Sequence, residues 1–157
     1  MVELLHFGQW PELYRLMVAQ KFPDVPPRYS EAVPYFEKAH VYGVLEGSAL
    51  QVGFVFGPPE DGVAFFDVVC ATNEQGKWAK PAVLRKLFEL AFDEMKLRCV
   101  WIQPATKKAL KAGLAAGFVP ATSLDVAKPV LVITPGLLPK KFKPANKEEK
   151  KSDGKFI

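Results

Sequence analysis

The sequence predicts a single α/β domain with the element order β-α-α-β-β-β-α-β-α-β-β, and three observations carry that prediction. Apolar residues recur at helical spacing in two places, Trp10-Leu13-Tyr14-Met17-Val18 and Leu84-Leu87-Phe88-Ala91-Met95. Between them lie three β-rich runs, His40 to Glu46, Ala49 to Phe56 and Val63 to Cys70, separated only by turn chemistry at Glu46-Gly47-Ser48 and at 57–62. Connections that short exclude crossovers, so these runs form an antiparallel meander. The 157 residues, 49% of them apolar, suffice for one domain with a real core.

The elements follow in order. Val2 to Phe7 reads as a first strand ended by Gly8, and Pro11 sits where a first helical turn tolerates it. Three prolines within 22–29 rule out helix there and predict a rigid loop, after which Ser30 offers an N-cap for a short helix to about Ala39. Pro81 suits the first position of the long helix, because its missing N–H would go unsatisfied in any case. Arg98 to Gln103 reads as a buried strand stopped by Pro104. Thr106 to Ala116 is a lysine-rich helix ended by Gly117. Strands at about Phe118 to Leu124 and Pro129 to Ile133 close the domain, placed at residues 1–135. Residues 136–157, rich in lysine, proline and acid, carry the composition of a disordered tail.

Charge separates along the chain. The net charge of +4 lies in residues 139–157, which hold seven lysines against three acids, and the remainder is neutral. Nucleic acid is therefore the last-ranked partner, reachable only through the tail. Cys70 and Cys99 sit in apolar runs without paired spacing, and His6 and His40 stand apart from other ligand types, so neither a disulfide framework nor a metal site is expected. No signal peptide or membrane span is seen, and a cytoplasmic protein is expected.

Two segments carry a resemblance. Asn73-Glu74-Gln75-Gly76-Lys77-Trp78-Ala79-Lys80-Pro81 joins a strand to the start of the long helix, where unpaired N–H groups and a partial positive charge make an anion site. Thr106 to Phe118 begins with a capping residue, places Ala109 three residues on and closes on Gly117-Phe118. Together with the element order, these segments resemble the GNAT superfamily of acetyl-CoA-dependent N-acetyltransferases. The resemblance implies a mixed, mostly antiparallel sheet flanked by helices. The pattern departs from the family where Trp78 and Lys80 replace small loop residues, where Thr106 replaces an Asn, and where Gly113 replaces the Tyr that commonly protonates the departing thiolate. Gly76-Lys77-Trp78 and Leu84-Arg85-Lys86-Leu87-Phe88 are similar to a variant found in GNAT-like proteins of tailed phages.

What the resemblance implies for the site can be stated by residue. Acetyl-CoA is the co-substrate, with no metal. Its pyrophosphate lies on Gln75, Gly76, Lys77, Trp78, Ala79 and Lys80, with Thr106 and the lysines of its helix (Lys107, Lys108, Lys111) close by. Strand backbone at Val69 and Ala71 pairs with the pantetheine arm. Asp67, a lone acid in an apolar strand, is either a base for the acceptor amine or a carboxylate paired with a neighbouring cation. Lys77 and Lys80 either contact the cofactor or form a solvated face. Trp78 either packs beneath its loop or covers the site, and His40 is a weaker candidate base. The 22–29 loop borders the acceptor. Direct acetyl transfer to a small-molecule or protein amine is the leading expectation. A catalytically degenerate scaffold that binds a host protein is the alternative, and a homodimer stays open.

Overall fold

The computed structural model describes residues 1–143, and the tail expected beyond that point lies outside the described residues. A seven-stranded sheet runs in the order β1-β2-β3-β4-β5-β7-β6. Its strands are β1 (Val2–Leu4), β2 (His40–Glu46), β3 (Ala49–Phe56), β4 (Val63–Cys70), β5 (Cys99–Ile102), β6 (Val119–Pro120) and β7 (Leu131–Ile133). The meander spans β2 to β4 as its alternating apolar runs and short turns require, and every pairing is antiparallel except β4 with β5.

The β4–β5 pairing is short. Only Val63–Cys99, Ala64–Val100 and Phe65–Trp101 are in register, after which β4 runs on for five residues beside β3 alone. The foot of this ladder is clamped: the Gly62 carbonyl accepts from the amides of Arg98 and Cys99 at 2.7 and 3.2 Å, and the Arg98 guanidinium donates back to the Asp61 carbonyl, 3.0 Å from Nε. Gly62 holds φ +77°, and a side chain there would strike Arg98. The two halves of the sheet are thus closed at one end and open at the other.

Helices cover the two faces unequally. On one face, α1 (Trp10–Ala19) and α2 (Tyr29–Lys38) bury Leu13, Met17, Ala32 and Phe36 against Val41, Leu50, Val55 and Val69. On the other, α3 (Pro81–Phe88) and α4 (Lys107–Ala116) close the larger core, in which Leu87, Phe88 and Ala116 meet Phe54, Val100, Leu131 and Ile133. Successive strand residues point to opposite faces, so each strand feeds both cores. The long stripe expected from Leu84 to Met95 is one continuous element whose second half, Glu89–Glu94, widens into π geometry, with Met95 donating to Leu90.

Four expectations change in detail. Ser30 is inside α2, whose N-cap is Arg28 without a side-chain hydrogen bond. Strand β1 ends at Leu4 because His6 N–H donates to Gln9 Oε1 and closes a 3₁₀ turn. Strand β6 stops at Pro120: Ala121 N–H still donates to the Val130 carbonyl, but the Val130 N–H goes to the Thr122 hydroxyl, and Ser123 Oγ accepts from Asp125 N–H in a local turn. Finally, packed chain continues past 135: Leu138 and Phe142 are buried, Phe142 rests 5.8 Å from Phe88, and Arg85 donates to the Lys141 carbonyl. Two apolar residues in a lysine-rich stretch were too sparse to register as composition, yet they meet an apolar groove.

Phe142→Ala should destabilise the protein by about 3 kcal/mol in urea denaturation. A loss below about 1 kcal/mol would show that 136–143 lie outside the cooperative unit.

Candidate functional site

The site is built around the opening between β4 and β5. Gly57 N–H donates to Phe65 O at 2.7 Å and Ala71 N–H donates to Gln51 O at 2.8 Å. Antiparallel pairing alternates, so the peptide groups of residues 65, 67, 69 and 71 face β3 while those of Phe66, Val68 and Cys70 face the opening. This corrects the expected backbone contacts. Val69 is committed to β3, the Ala71 N–H to Gln51 and its carbonyl to the Glu74 amide, and the free edge is offered by the Val68 carbonyl and the Cys70 peptide groups.

Beyond that edge the chain enters the loop 72–80. The amides of Gly76, Trp78 and Ala79, and those of Ala82 and Val83 in the first turn of α3, donate to no protein acceptor among the described residues. Gly76 takes φ +80°, which turns the loop back on itself, and Lys108 Nζ comes to 3.0 Å from where a Cβ on Gly76 would stand. Lys77 and Lys80 are exposed on the same loop. Five open amides and three ammonium groups therefore gather at one helix N-terminus, an arrangement suited to a phosphate-bearing ligand.

The other expected loop residues have different employment. Gln75 donates to Gln20 Oε1 at 2.8 Å and Gln20 donates to Thr72 Oγ1 at 3.4 Å, which ties the loop to the end of α1. Trp78 packs beneath the loop, edge-on to Phe54 at 5.5 Å between centroids. Thr106 Oγ1 accepts from Ala109 N–H at 3.1 Å and so caps α4. Gly113 is buried, and a Cβ there would lie 2.8 Å from Ile102 Cδ1 and 3.0 Å from Leu131 Cδ1. Those two side chains fill the space a tyrosine would need.

On the opposite face stands Asp67. Its Oδ1 accepts from Val68 N–H at 2.9 Å, which confirms that this amide has no strand partner. Burial pushes its pKa up to about 6, partly opposed by that hydrogen bond. No Lys, Arg or His among the described residues lies within ion-pair distance of it, so the paired-carboxylate alternative does not hold there. His40, paired with Phe56 on β2, stands two strands away, roughly 10 Å.

Sequence reasoning overlooked Tyr35 and Phe65. Burial, and then the charge of Asp67, raise the Tyr35 pKa, so its ring lies within electrostatic reach of that carboxylate. Strand alternation already placed Phe65 beside Asp67; nothing local could have brought Tyr35 there from α2.

No protein-family model matches the sequence, and no curated protein matches it. Solved structures do. The spermidine N-acetyltransferase of Vibrio cholerae in complex with CoA and spermine superposes with a TM-score of 0.69 at 14% identity, covering 87% of this chain and 96% of that one. A dodecameric structure of the same enzyme in an intermediate state gives 0.67 at 14% identity over 85% and 92%. This chain therefore shares the fold of that protein, the mixed, mostly antiparallel sheet flanked by helices that the element order implied. These comparisons lend nothing to the tailed-phage variant that Gly76-Lys77-Trp78 resembles. Among the described residues no helix is long and apolar enough to cross a membrane.

Asp67 binds its proton more tightly when folded than when unfolded, so stability should fall as pH rises from the unfolded value of 3.8 through about 6. Asp67→Asn should consequently raise stability at pH 7, by on the order of 1 kcal/mol given its partial exposure. Equal melting temperatures for the two proteins across pH 4 to 8 would contradict this.

Proposed function

We propose that this chain is an acetyl-CoA-dependent N-acetyltransferase that transfers the acetyl group directly to an amine. The observation that carries the reading is the open edge of β4, which runs from an anion-binding loop at one end to an unpaired carboxylate at the other. A CoA molecule has the matching order of groups, with a pyrophosphate, an amide-bearing arm and a thioester. Complexes of the structurally similar Vibrio cholerae enzyme with CoA and spermine support the same assignment.

In this reading the amides of Gly76, Trp78, Ala79, Ala82 and Val83 hold the pyrophosphate, with Lys77, Lys80 and Lys108 neutralising its charge. The Val68 carbonyl and the Cys70 peptide groups pair with the arm, the Val68 N–H being held by Asp67. Asp67 receives a proton from the acceptor ammonium, directly or through one water. The freed nitrogen forms a C–N bond to the acetyl carbon as the C–S bond breaks; the nitrogen then gives up its second proton to solvent, and the thiolate leaving group takes one from solvent. Position 113 of α4 supplies no general acid, because Gly113 has no side chain and faces the core. The unit doing this work is residues 1–143, with the lysine-rich remainder as an appendage.

Titration calorimetry should show binding of acetyl-CoA, and Lys77→Ala, Lys80→Ala and Lys108→Ala should each weaken it about three- to tenfold, less so at high salt. Absence of binding at millimolar acetyl-CoA would leave a scaffold without this chemistry. For the wild type, kcat/KM should rise with pH through about 6, because Asp67 accepts a proton only when ionised. Asp67→Asn should abolish that rise and lower kcat by about 10²-fold; an unchanged profile would remove Asp67 from the mechanism.

A further inference from the structure

We propose that the acceptor is a singly charged amine carried on a flat apolar body, an arylalkylamine, whose ammonium meets Asp67 while its ring lies against Phe65, Trp101 and Tyr35. The proposal rests on the N-acetyltransferase reading and specifies its second substrate.

The placement begins with the register. Phe65 and Trp101 are the last residues paired across β4 and β5, and their rings meet at 4.5 Å between centroids with a 46° tilt. They share the face of Asp67 and Val69. Val69 enters the core beneath α1 and α2, whereas Phe65, Trp101 and Tyr35 belong to neither apolar core. Tyr35 stays 39% exposed. Its hydroxyl lies 3.3 Å from the point a Cβ on Gly57 would occupy, with the Phe65 Cβ 3.7 Å from the same point, so the phenol stands beside Phe65 over a glycine that leaves it room. Tyr35, and Phe65 two residues along the same strand face, thus neighbour a half-buried carboxylate, with Trp101 extending the aromatic surface from Phe65.

The chemistry of that surface selects its ligand. A carboxylate kept partly from water without a cationic partner favours an incoming ammonium, and the aromatic faces beside it attract the same charge and stack on a flat apolar group. The charge count argues for one cation. Glu31 and Lys38, which flank Tyr35 on the same side of α2, are opposite in sign and exposed, so together they add no net charge beside Asp67. The further charges of a polyamine would meet only the exposed Glu31, which Lys38 on the same side of α2 offsets.

The test uses the full chain at saturating acetyl-CoA and compares 2-phenylethylamine, n-butylamine and spermidine. The ring should give 2-phenylethylamine at least a tenfold advantage in kcat/KM over the other two. Trp101→Leu should lower its kcat/KM about tenfold through KM, leave n-butylamine within twofold, and leave acetyl-CoA affinity unchanged. Tyr35→Leu, at an exposed position, provides the same comparison should Trp101→Leu fail to fold. A higher kcat/KM for spermidine, or equal losses for all three amines in these variants, would overturn the aromatic acceptor while keeping the N-acetyltransferase reading. Failure of the wild type to bind acetyl-CoA would overturn both.

Discussion

The parallel pairing of β4 with β5 is the constraint on which the rest of the molecule depends. Parallel neighbours need a long crossover, here the α3 helix with its π continuation, and that crossover delivers a helix N-terminus to the end of β4. Because Arg98 and Gly62 clamp one end of the pair and the register stops at Phe65–Trp101, the strands separate above that point. The separation leaves the peptide groups of Val68 and Cys70 without a strand partner. In a folded protein such groups are nearly always satisfied, so an edge left open beside open loop amides is a place for a ligand.

Asymmetry between the two faces assigns the two halves of the site. The α3/α4 side contributes charge: loop amides, Lys77, Lys80 and Lys108. The α1/α2 side contributes Asp67 in an aromatic setting, where burial raises its pKa. Burial makes Asp67 costly to the fold, and in the proposed acetyl transfer the same burial makes its carboxylate a stronger base. Departures from the GNAT pattern also find physical places. Trp78 supports its loop on Phe54, and Gly113 permits Ile102 and Leu131 to pack directly against α4.

Much of the fold was legible in the sequence, because period and punctuation are local properties. The bounds of β2, β3 and β4 follow from alternation and turn residues, Pro81 opens α3, and Gly117 closes α4 at φ +110°. Side-chain competition was harder to read: Ser30 has cap chemistry but is helical, and past Pro120 side-chain hydroxyls take over, Thr122 accepting from Val130 and Ser123 from Asp125. Of the candidate site, the loop 75–80 and Asp67 could be named from their neighbours in sequence. Which amides remained open could not, since that depends on a hydrogen-bond parity set by Gly57–Phe65 and Gln51–Ala71.

The sequence by itself determined the element order, the neutral balance of residues 1–138 ahead of a lysine-rich end, the turn that runs into the helix start at Pro81, and the isolation of Asp67 in an apolar strand. Tertiary structure alone decided that Val68 and Cys70 present the open edge, that Lys108 reaches Gly76, that Tyr35 joins Phe65 and Trp101 beside Asp67, and that Phe142 belongs to the core. The division has one physical cause. Residue types and spacings set what each segment can do alone, whereas contacts between α2 and β4, between α4 and the loop, or between the chain's end and α3 join residues far apart in sequence and arise only when the sheet is assembled.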